Sequence, residues 1–238
     1  MTTKAIKDAV TCFFMSKPPG MTLDIPCGNM WLGKLLTEHG YRYWGSDLYK
    51  VPTNTTISGA FFCRTDMNDV LPFKDNSFDY IACIEGIEHV ESTHHVVREF
   101  ARILKPRGEI ILTTPNILNI SSRVRFFLRG TYFGFPHLLD LPRKGEHAHI
   151  NPINLPFLRL ILKRTGLKIL QILKTPRNSR YIKYILPWLI LKVITHIGLF
   201  SGNYRKRELH KLLMSKELLL RDSLVLVIAR ESVEGSVL

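Results

Sequence analysis

Apolar and polar residues alternate along the chain with two different periods, which follow one another in a regular order. Apolar side chains recur at helical spacing over residues 3–16, so we predict a leading amphipathic helix that ends at a Lys-Pro-Pro-Gly turn. Beyond it, short apolar runs typical of strands alternate with helical stretches. The strand-like runs are MTLDIP, YRYWGSDL, AFFCRTD, FDYIACI, EIILTT, LKILQIL and LVLVIAR.

Strands that alternate with helices form parallel β-α-β units. We therefore predict an α/β protein with a Rossmann-like, doubly wound, mostly parallel seven-stranded sheet and helical insertions. We assign residues 1–238 to a single domain, with its core in residues 20–116 and 217–231. Residues 116–166 form a lid insertion with two helices around a Gly-, Pro- and aromatic-rich loop. Residues 176–216, apolar and then basic, form a second helical insertion.

Acidic side chains follow each of the first three predicted strands, at Asp24, Asp47 and Asp66. Ligands of an open parallel sheet bind beyond the carboxyl ends of its strands. Asp24 could accept from an ammonium group, Asp47 lies about 20 residues later, where a carboxylate can hold ribose hydroxyls, and Asp66 beside Met67 suits an adenine. Each acid alone is more often a cap or turn residue. Together they predict a nucleoside-bearing ligand.

These segments, in this order, resemble the motif series of class I S-adenosylmethionine-dependent methyltransferases. The matching segments are LDIPCGNMWLG, GSDLY, TDMNDVLPFKDNSFDYIACIEGIEHV and LKPRGEIILTTPN. The resemblance implies that S-adenosylmethionine is the cofactor, with its methionine portion near Asp24, its ribose near Asp47 and its adenine near Asp66. The full set of cofactor-binding residues that it implies is Asp24, Gly28, Asp47, Leu48, Asp66, Met67 and Ile84. The first motif departs from the family pattern, since Pro26-Cys27 and Asn29-Met30 replace pairs that usually contain glycine.

The fourth strand is followed by Glu85-Gly86-Ile87-Glu88-His89, next to the expected position of the methyl group. Such a set could bind a divalent metal such as Mg²⁺ or move a proton. It resembles the ExxEH of ubiquinone-pathway O-methyltransferases and of small-RNA 3′-end 2′-O-methyltransferases, in which a distal histidine completes a metal site. That histidine would be His147 or, better placed before Asn-Pro, His149.

The expected metal ligands are Glu85, Glu88, His89 and His149. The expected catalytic residues are His89, His149 and Glu85. Many proteins with a similar Glu-His pair use it only to position the loop, and that alternative remains open.

The chain has 33 Lys and Arg against 20 Asp and Glu, a formal net charge of +13. This charge favours an anionic partner, either nucleic acid, an anionic lipid surface or a phosphorylated substrate, but a solvated surface would look the same. The four cysteines show neither disulfide nor zinc spacing, and the N-terminus lacks a signal-peptide pattern. We therefore expect a cytoplasmic protein, with a peripheral position on the inner membrane face as a further hypothesis.

Both insertions carry candidate binding surfaces. The lid insertion combines aromatic side chains with basic ones, which could clamp a phosphate and stack on a ring, or the aromatics could pack on the core. The basic residues are Arg123, Arg125, Arg129, Arg143 and Lys144. In the second insertion, an amphipathic helix starting at Pro187 could rest on anionic lipid, on the domain or on another subunit. Its apolar stretch is too short to span a bilayer.

The sequence thus predicts an S-adenosylmethionine-dependent O-methyltransferase. The expected acceptor is a lipid-linked or cell-surface saccharide, or a hydrophobic small molecule. One alternative is an RNA 2′-O-methyltransferase, favoured by the ExxEH segment and the net charge. Another is a non-catalytic binding module that has kept the fold and lost the cofactor, for which the unusual first motif is the hint.

Overall fold

A computed structural model describes residues 2–49, 57–135, 148–175, 189–190, 193 and 211–231. Its centre is a seven-stranded sheet in the order β3-β2-β1-β4-β5-β7-β6. The strands are Met21–Asp24 (β1), Arg42–Asp47 (β2), Ala60–Arg64 (β3), Phe78–Ile84 (β4), Leu104–Pro115 (β5), Leu167–Ile172 (β6) and Ser223–Arg230 (β7).

The strand directions confirm the predicted doubly wound fold. Strands β1 to β5 pair in parallel, whereas β7 runs antiparallel to both β5 and β6. The chain order reverses between β1 and β4, and ligands of such sheets bind in the crevice beyond the carboxyl ends of the strands at this switch point. In the register, Asp24 of β1 lies between Gly45 of β2 and Ala82 of β4, so the ends of these strands meet at the crevice.

Helices cover both faces of the sheet. They are Lys4–Met15 (α1), Trp31–Glu38 (α2), Thr93–Ile103 (α3), Ile120–Arg129 (α4), Leu155–Arg164 (α5) and Lys216–Leu219 (α6), with a 3₁₀ turn at Ile87–His89. As predicted, α1 is amphipathic and buries Ile6, Val10, Phe13 and Phe14. Its first turn is capped by Thr3, and Ser92, Asn119 and Asn154 cap α3, α4 and α5 in the same way.

The core has two layers because successive residues of a strand face opposite sides. In β4, Ile81 and Cys83 join the layer under α3 and α5, while Tyr80 and Ala82 join the layer under α1 and α2. Strand β3, at the edge of the sheet, is the least covered: Phe61 is 55% exposed, although it stacks on Trp44. The four cysteines are unpaired, as expected.

Much of the two insertions lies outside the described residues. This applies to His147, Arg143, Lys144 and most of residues 176–216, including the predicted start of a helix at Pro187. In that segment Leu189, Ile190 and Val193 are described; they are helical and about half exposed. Across the described ranges, no helix is long and apolar enough to cross a membrane.

Candidate active site

The first strand ends in a buried carboxylate. Asp24 is 2% exposed, and its Oδ2 accepts a 2.7 Å hydrogen bond from the hydroxyl of Tyr43 on β2. Burial raises the pKa of Asp24 to about 7; the Tyr43 hydrogen bond acts in the opposite direction, and the nearby charge of Asp47 adds to the increase. A carboxylate held out of water in this way gains strongly from a cationic partner.

Tyr43 is completely buried, and α2 leaves room for its ring. A Cβ atom on Gly33 would lie 2.6 Å from Cε1 of Tyr43, so a side chain at Gly33 would displace the ring. Gly33 therefore serves the packing of Tyr43 rather than a ligand. Sequence reasoning identified Asp24 but missed Tyr43, because a tyrosine in an apolar strand resembles an ordinary core residue.

A hydrogen bond connects the carboxyl end of β2 to the loop that follows β1. The Asp47 carboxylate accepts hydrogen bonds from the backbone N–H of Gly28 at 2.9 Å and from that of Tyr49 at 3.1 Å. It thereby fixes the turn at Gly28 and stays at the surface of the crevice. The structure brings Asp24, Gly28 and Asp47 together, as the sequence analysis expected.

The remaining residues predicted to bind the cofactor also lie at or just beyond the carboxyl ends of the strands. Asp66 follows β3 and accepts from the backbone and side-chain amides of Asn68. Met67 is partly buried against the core, Leu48 is exposed and Ile84 is buried at the end of β4. Their roles toward a nucleoside stay predictions.

Glu85 lies at the point where β4 leaves the sheet. Its φ of +50° is left-handed, and Thr113 of β5 holds both its ends: Oγ1 accepts from the backbone N–H of Glu85 at 2.9 Å and donates to its Oε1 at 2.9 Å. Burial raises the pKa of Glu85. A left-handed glutamate is uncommon, and such strain concentrates at functional sites.

The neighbouring glycine joins this turn to the first motif. A Cβ on Gly86 would lie 2.2 Å from Cδ of Pro26, so only glycine permits this approach. The unusual Pro26 therefore packs the loop after β1 against the Glu85 turn.

Three of the four predicted metal ligands form a cluster. Glu88, His89 and His149 each offer a ligand atom within 4.8 Å of the other two. The two imidazole rings meet edge to face, with centroids 4.7 Å apart. Glu85 is not part of this cluster, because its side chain is held by Thr113.

Glu88 is the most deeply placed member of the cluster. It is 0% exposed, and neither carboxylate oxygen has a hydrogen-bond partner among the described residues. Burial and the charge of Glu85 raise the pKa of Glu88 to about 8. An unpartnered buried carboxylate is costly, which indicates that a cation or a proton completes the site.

Both histidines are oriented by backbone carbonyls. Nδ1 of His89 lies 2.9 Å from the carbonyl oxygen of Ala148, and Nδ1 of His149 lies 2.6 Å from that of Gly134. Since a carbonyl only accepts, each Nδ1 carries the proton in the neutral ring, and Nε2 carries the lone pair. Metal-binding and proton-accepting histidines are commonly held in this way.

The segment after His149 brings it to the 3₁₀ turn. The backbone N–H groups of Ile150 and Asn151 donate to the carbonyl of Glu88 at 3.1 and 3.0 Å. The amide of Asn151 donates to Oγ1 of Thr93 at 2.7 Å and to the carbonyl of Val90. The Asn-Pro pair after His149 is visible in the sequence, but the role of Asn151 depends on its contact with Thr93, which only the structure shows.

The lid insertion divides into packed and exposed parts. Phe135 is fully buried and contacts the ring of His149, whereas Phe127 is 87% exposed. Arg123 donates to the backbone carbonyls of Leu118 and Leu213, and burial lowers its pKa. Arg123 thus has a structural role, which reduces the basic set available for a phosphate.

The chain is similar in sequence to known methyltransferases. A family model described as a methyltransferase domain matches residues 2–172. The ubiquinone biosynthesis O-methyltransferase of Coxiella burnetii is 26% identical over 156 residues, which cover 63% of this chain and 64% of that protein. The same-named protein of Aliivibrio fischeri is 28% identical over 153 residues, which cover 61% and 63%. The chain therefore aligns with less than two thirds of the length of these relatives.

Solved structures share the fold at low sequence identity. A putative S-adenosylmethionine-dependent methyltransferase from Listeria monocytogenes superimposes with a TM-score of 0.58 at 13% identity, covering 95% of this chain and all of the other. At this level of identity the likeness concerns the fold alone.

Proposed function

Because the chain belongs to the methyltransferase-domain family and is a class I S-adenosylmethionine-dependent methyltransferase, we propose that it methylates a hydroxyl oxygen of a hydrophobic small molecule. Membership of this family favours an enzyme over the non-catalytic binding module considered above. The observation that carries the finer proposal is the buried Glu88, with two unpartnered oxygens, beside two oriented histidines at the end of β4.

On the cofactor side, the chain binds and orients. When bound, S-adenosylmethionine would supply the methyl group: the acceptor oxygen bonds to the methyl carbon, the carbon–sulfur bond breaks, and S-adenosylhomocysteine leaves. The crevice offers the buried Asp24 carboxylate for the ammonium group and Asp47, at the end of β2, for ribose hydroxyls. Alignment accounts for much of such a transfer, so the hydrogen bond that holds the Gly28 turn to Asp47 would contribute to the rate by fixing the cofactor's position.

On the acceptor side, the cluster can take up a proton or hold a cation. The carboxylate of Glu88 and the imidazoles of His89 and His149 form a mixed oxygen and nitrogen donor set that fits a divalent metal. Such a metal would act as a Lewis acid and lower the pKa of the acceptor hydroxyl. Without it, His149 or His89 would accept the hydroxyl proton, with the ring orientation fixed by Gly134 or Ala148.

Two features support the nature of the acceptor. The relatives carry the name ubiquinone biosynthesis O-methyltransferase, which favours a small molecule over RNA or a saccharide. The lid presents the exposed Phe126 and Phe133, which suit an apolar ring. We therefore expect a catechol-like acceptor, in which vicinal hydroxyls can meet the cluster together.

The test is a transfer assay with methyl-labelled S-adenosylmethionine and the full chain. The acceptors are a 4-alkylcatechol, a small-RNA duplex and a lipid-linked saccharide. We expect label only in the catechol, at oxygen, and a loss of turnover with a chelator that added Mg²⁺ restores. Label in RNA or saccharide but not in catechol would overturn the proposed acceptor. Turnover indifferent to both chelator and Mg²⁺ would remove the metal and leave the histidine base.

A further inference from the structure

A groove rich in arginine lies at the amino ends of the parallel strands, opposite the crevice at their carboxyl ends. Asp75 and Asn76 immediately precede β4, and Arg230 ends the antiparallel β7, so these residues lie at the amino ends of the parallel strands. Arg98 and Arg102 of α3, Arg164 of α5, and Ala101 and Thr165 complete the walls. The groove is open and has a volume of about 510 Å³.

The charge of the groove is strongly unbalanced. Four arginines and one aspartate line it, a formal net charge of +3. The guanidinium nitrogens of Arg102 are all engaged, since they pair with Asp75 and Glu99 and donate to the carbonyls of Leu71 and Phe73. The single acid of the groove is thus already neutralised by Arg102.

The other three arginines retain unused donors. Arg98 and Arg164 are exposed and have no hydrogen bond or ion pair with any of the residues that the structure describes. Arg230 is partly buried and donates from Nη2 to Asn76 and to the carbonyls of Ala101 and Leu104. Its Nη1 is not engaged by these bonds. The side-chain oxygen of Asn76 accepts the hydrogen bond from Arg230. The side-chain N–H groups of Asn76 therefore remain as further donors.

We propose that this groove binds a small phosphorylated molecule at a site separate from the methyl-transfer crevice. Guanidinium groups match phosphate oxygens in geometry and charge, and a wall of donors with one neutralised acceptor selects an anion. Arg230 is anchored at two backbone carbonyls, so one guanidinium is pre-organised, and Arg98 and Arg164 can close on the ligand from two helices. The volume suits a ligand about the size of a mononucleotide.

The probe is inorganic pyrophosphate, titrated into the full chain by calorimetry at low salt. We expect Arg98→Ala/Arg164→Ala to weaken pyrophosphate binding about tenfold or more. The control Arg107→Ala/Arg159→Ala removes the same charge from two exposed arginines outside the groove, and should change binding less than about twofold. Equal weakening by both pairs, or no binding at millimolar pyrophosphate, would overturn the proposal.

Two further binding experiments distinguish this site from the crevice and identify the type of ligand. Saturating S-adenosylhomocysteine should leave pyrophosphate binding unchanged, because the two sites lie at opposite ends of the strands; competition would place the anion in the crevice and contradict the proposal. Tighter binding of AMP than of inorganic phosphate, lost in the Arg98→Ala/Arg164→Ala protein, would identify a nucleotide as the source of the phosphate. Equal affinities would identify the phosphate group alone.

Discussion

The hydroxyl of Tyr43 donates a 2.7 Å hydrogen bond to the buried carboxylate of Asp24, and so links β2 to the strand end that faces the cofactor crevice. This bond stabilises the ionised form of Asp24 against the effect of burial. Since an ammonium group would bind the ionised carboxylate, we expect Tyr43 to act as a positioning residue for the cofactor.

Removing the Tyr43 hydroxyl should weaken cofactor binding. In Tyr43→Phe, Asp24 loses its donor and its pKa rises further, so we expect the dissociation constant for S-adenosylmethionine to increase about tenfold at neutral pH. Calorimetry measures this directly. The matched control is Tyr41→Phe, because the Tyr41 hydroxyl donates to the carbonyls of Phe14 and Lys17, away from the crevice. Tyr41→Phe should lower thermal stability and leave the dissociation constant unchanged.

Cofactor binding should release a proton from Asp24. Its pKa of about 7 in the free protein lies well above the ordinary value of 3.8, so the carboxyl is largely protonated below pH 7. Protons therefore compete with the cofactor, and affinity should increase as the pH rises from about 5 to about 7 and then level off. Titrations in two buffers of different ionisation enthalpy measure the proton. Asp24→Asn should bind more weakly and lose the pH dependence; an unchanged profile would show that Asp24 does not titrate on binding.

A methyl group at Gly33 should displace the Tyr43 ring and so disturb its hydrogen bond to Asp24. In Gly33→Ala the new Cβ would lie 2.6 Å from the Tyr43 ring, which must move in a fully packed layer. We expect a loss of about 1–3 kcal/mol in the free energy of unfolding, measured with urea. Lys34→Ala, at a more exposed position of the same helix, is the control and should change stability little. Equal stability of Gly33→Ala and wild type would mean that the ring has room.

Asn151 should matter for turnover and not for cofactor binding. Its amide joins the His149 segment to Thr93 at the start of α3, so Asn151→Ala should loosen the position of His149 relative to Glu88. We expect kcat to fall about tenfold or more with an unchanged dissociation constant for S-adenosylmethionine.

Its control is the nearby Asn154→Ala, which removes the cap of α5. That variant should lose about 1 kcal/mol of stability and keep its kcat. If both asparagine variants lost kcat in proportion to their stability, Asn151 would have only a structural role.

Much of the fold was predictable from the sequence, because apolar runs that alternate with helical stretches favour parallel β-α-β units, as found for β1 to β5. The runs that became β1, β2 and β4 ended at the predicted acids and at Glu85. The exposure of Phe61 was not predictable, since an edge strand and a central strand have similar composition when both carry aromatic residues.

The candidate site was predictable where its residues are consecutive and not where they meet through the fold. Glu85, Glu88 and His89 form one short segment, so they could be identified together. Thr113, which turns Glu85 away from the cluster, lies on a different strand, and Tyr43 lies in the middle of an apolar run. Such residues act through one hydrogen bond to a distant partner, and a single sequence contains no sign of that pairing.

In the proposed function, Asp24 and the neighbouring strand ends bind S-adenosylmethionine, while Glu88 and the histidines act on the acceptor. The most direct test compares kcat for a 4-alkylcatechol and the dissociation constant for S-adenosylmethionine in wild type, Glu88→Gln and the exposed control Glu91→Gln. We predict that Glu88→Gln loses about a hundredfold in kcat or more and keeps its cofactor affinity, with Glu91→Gln unchanged in both. A folded Glu88→Gln protein with wild-type kcat would contradict the account.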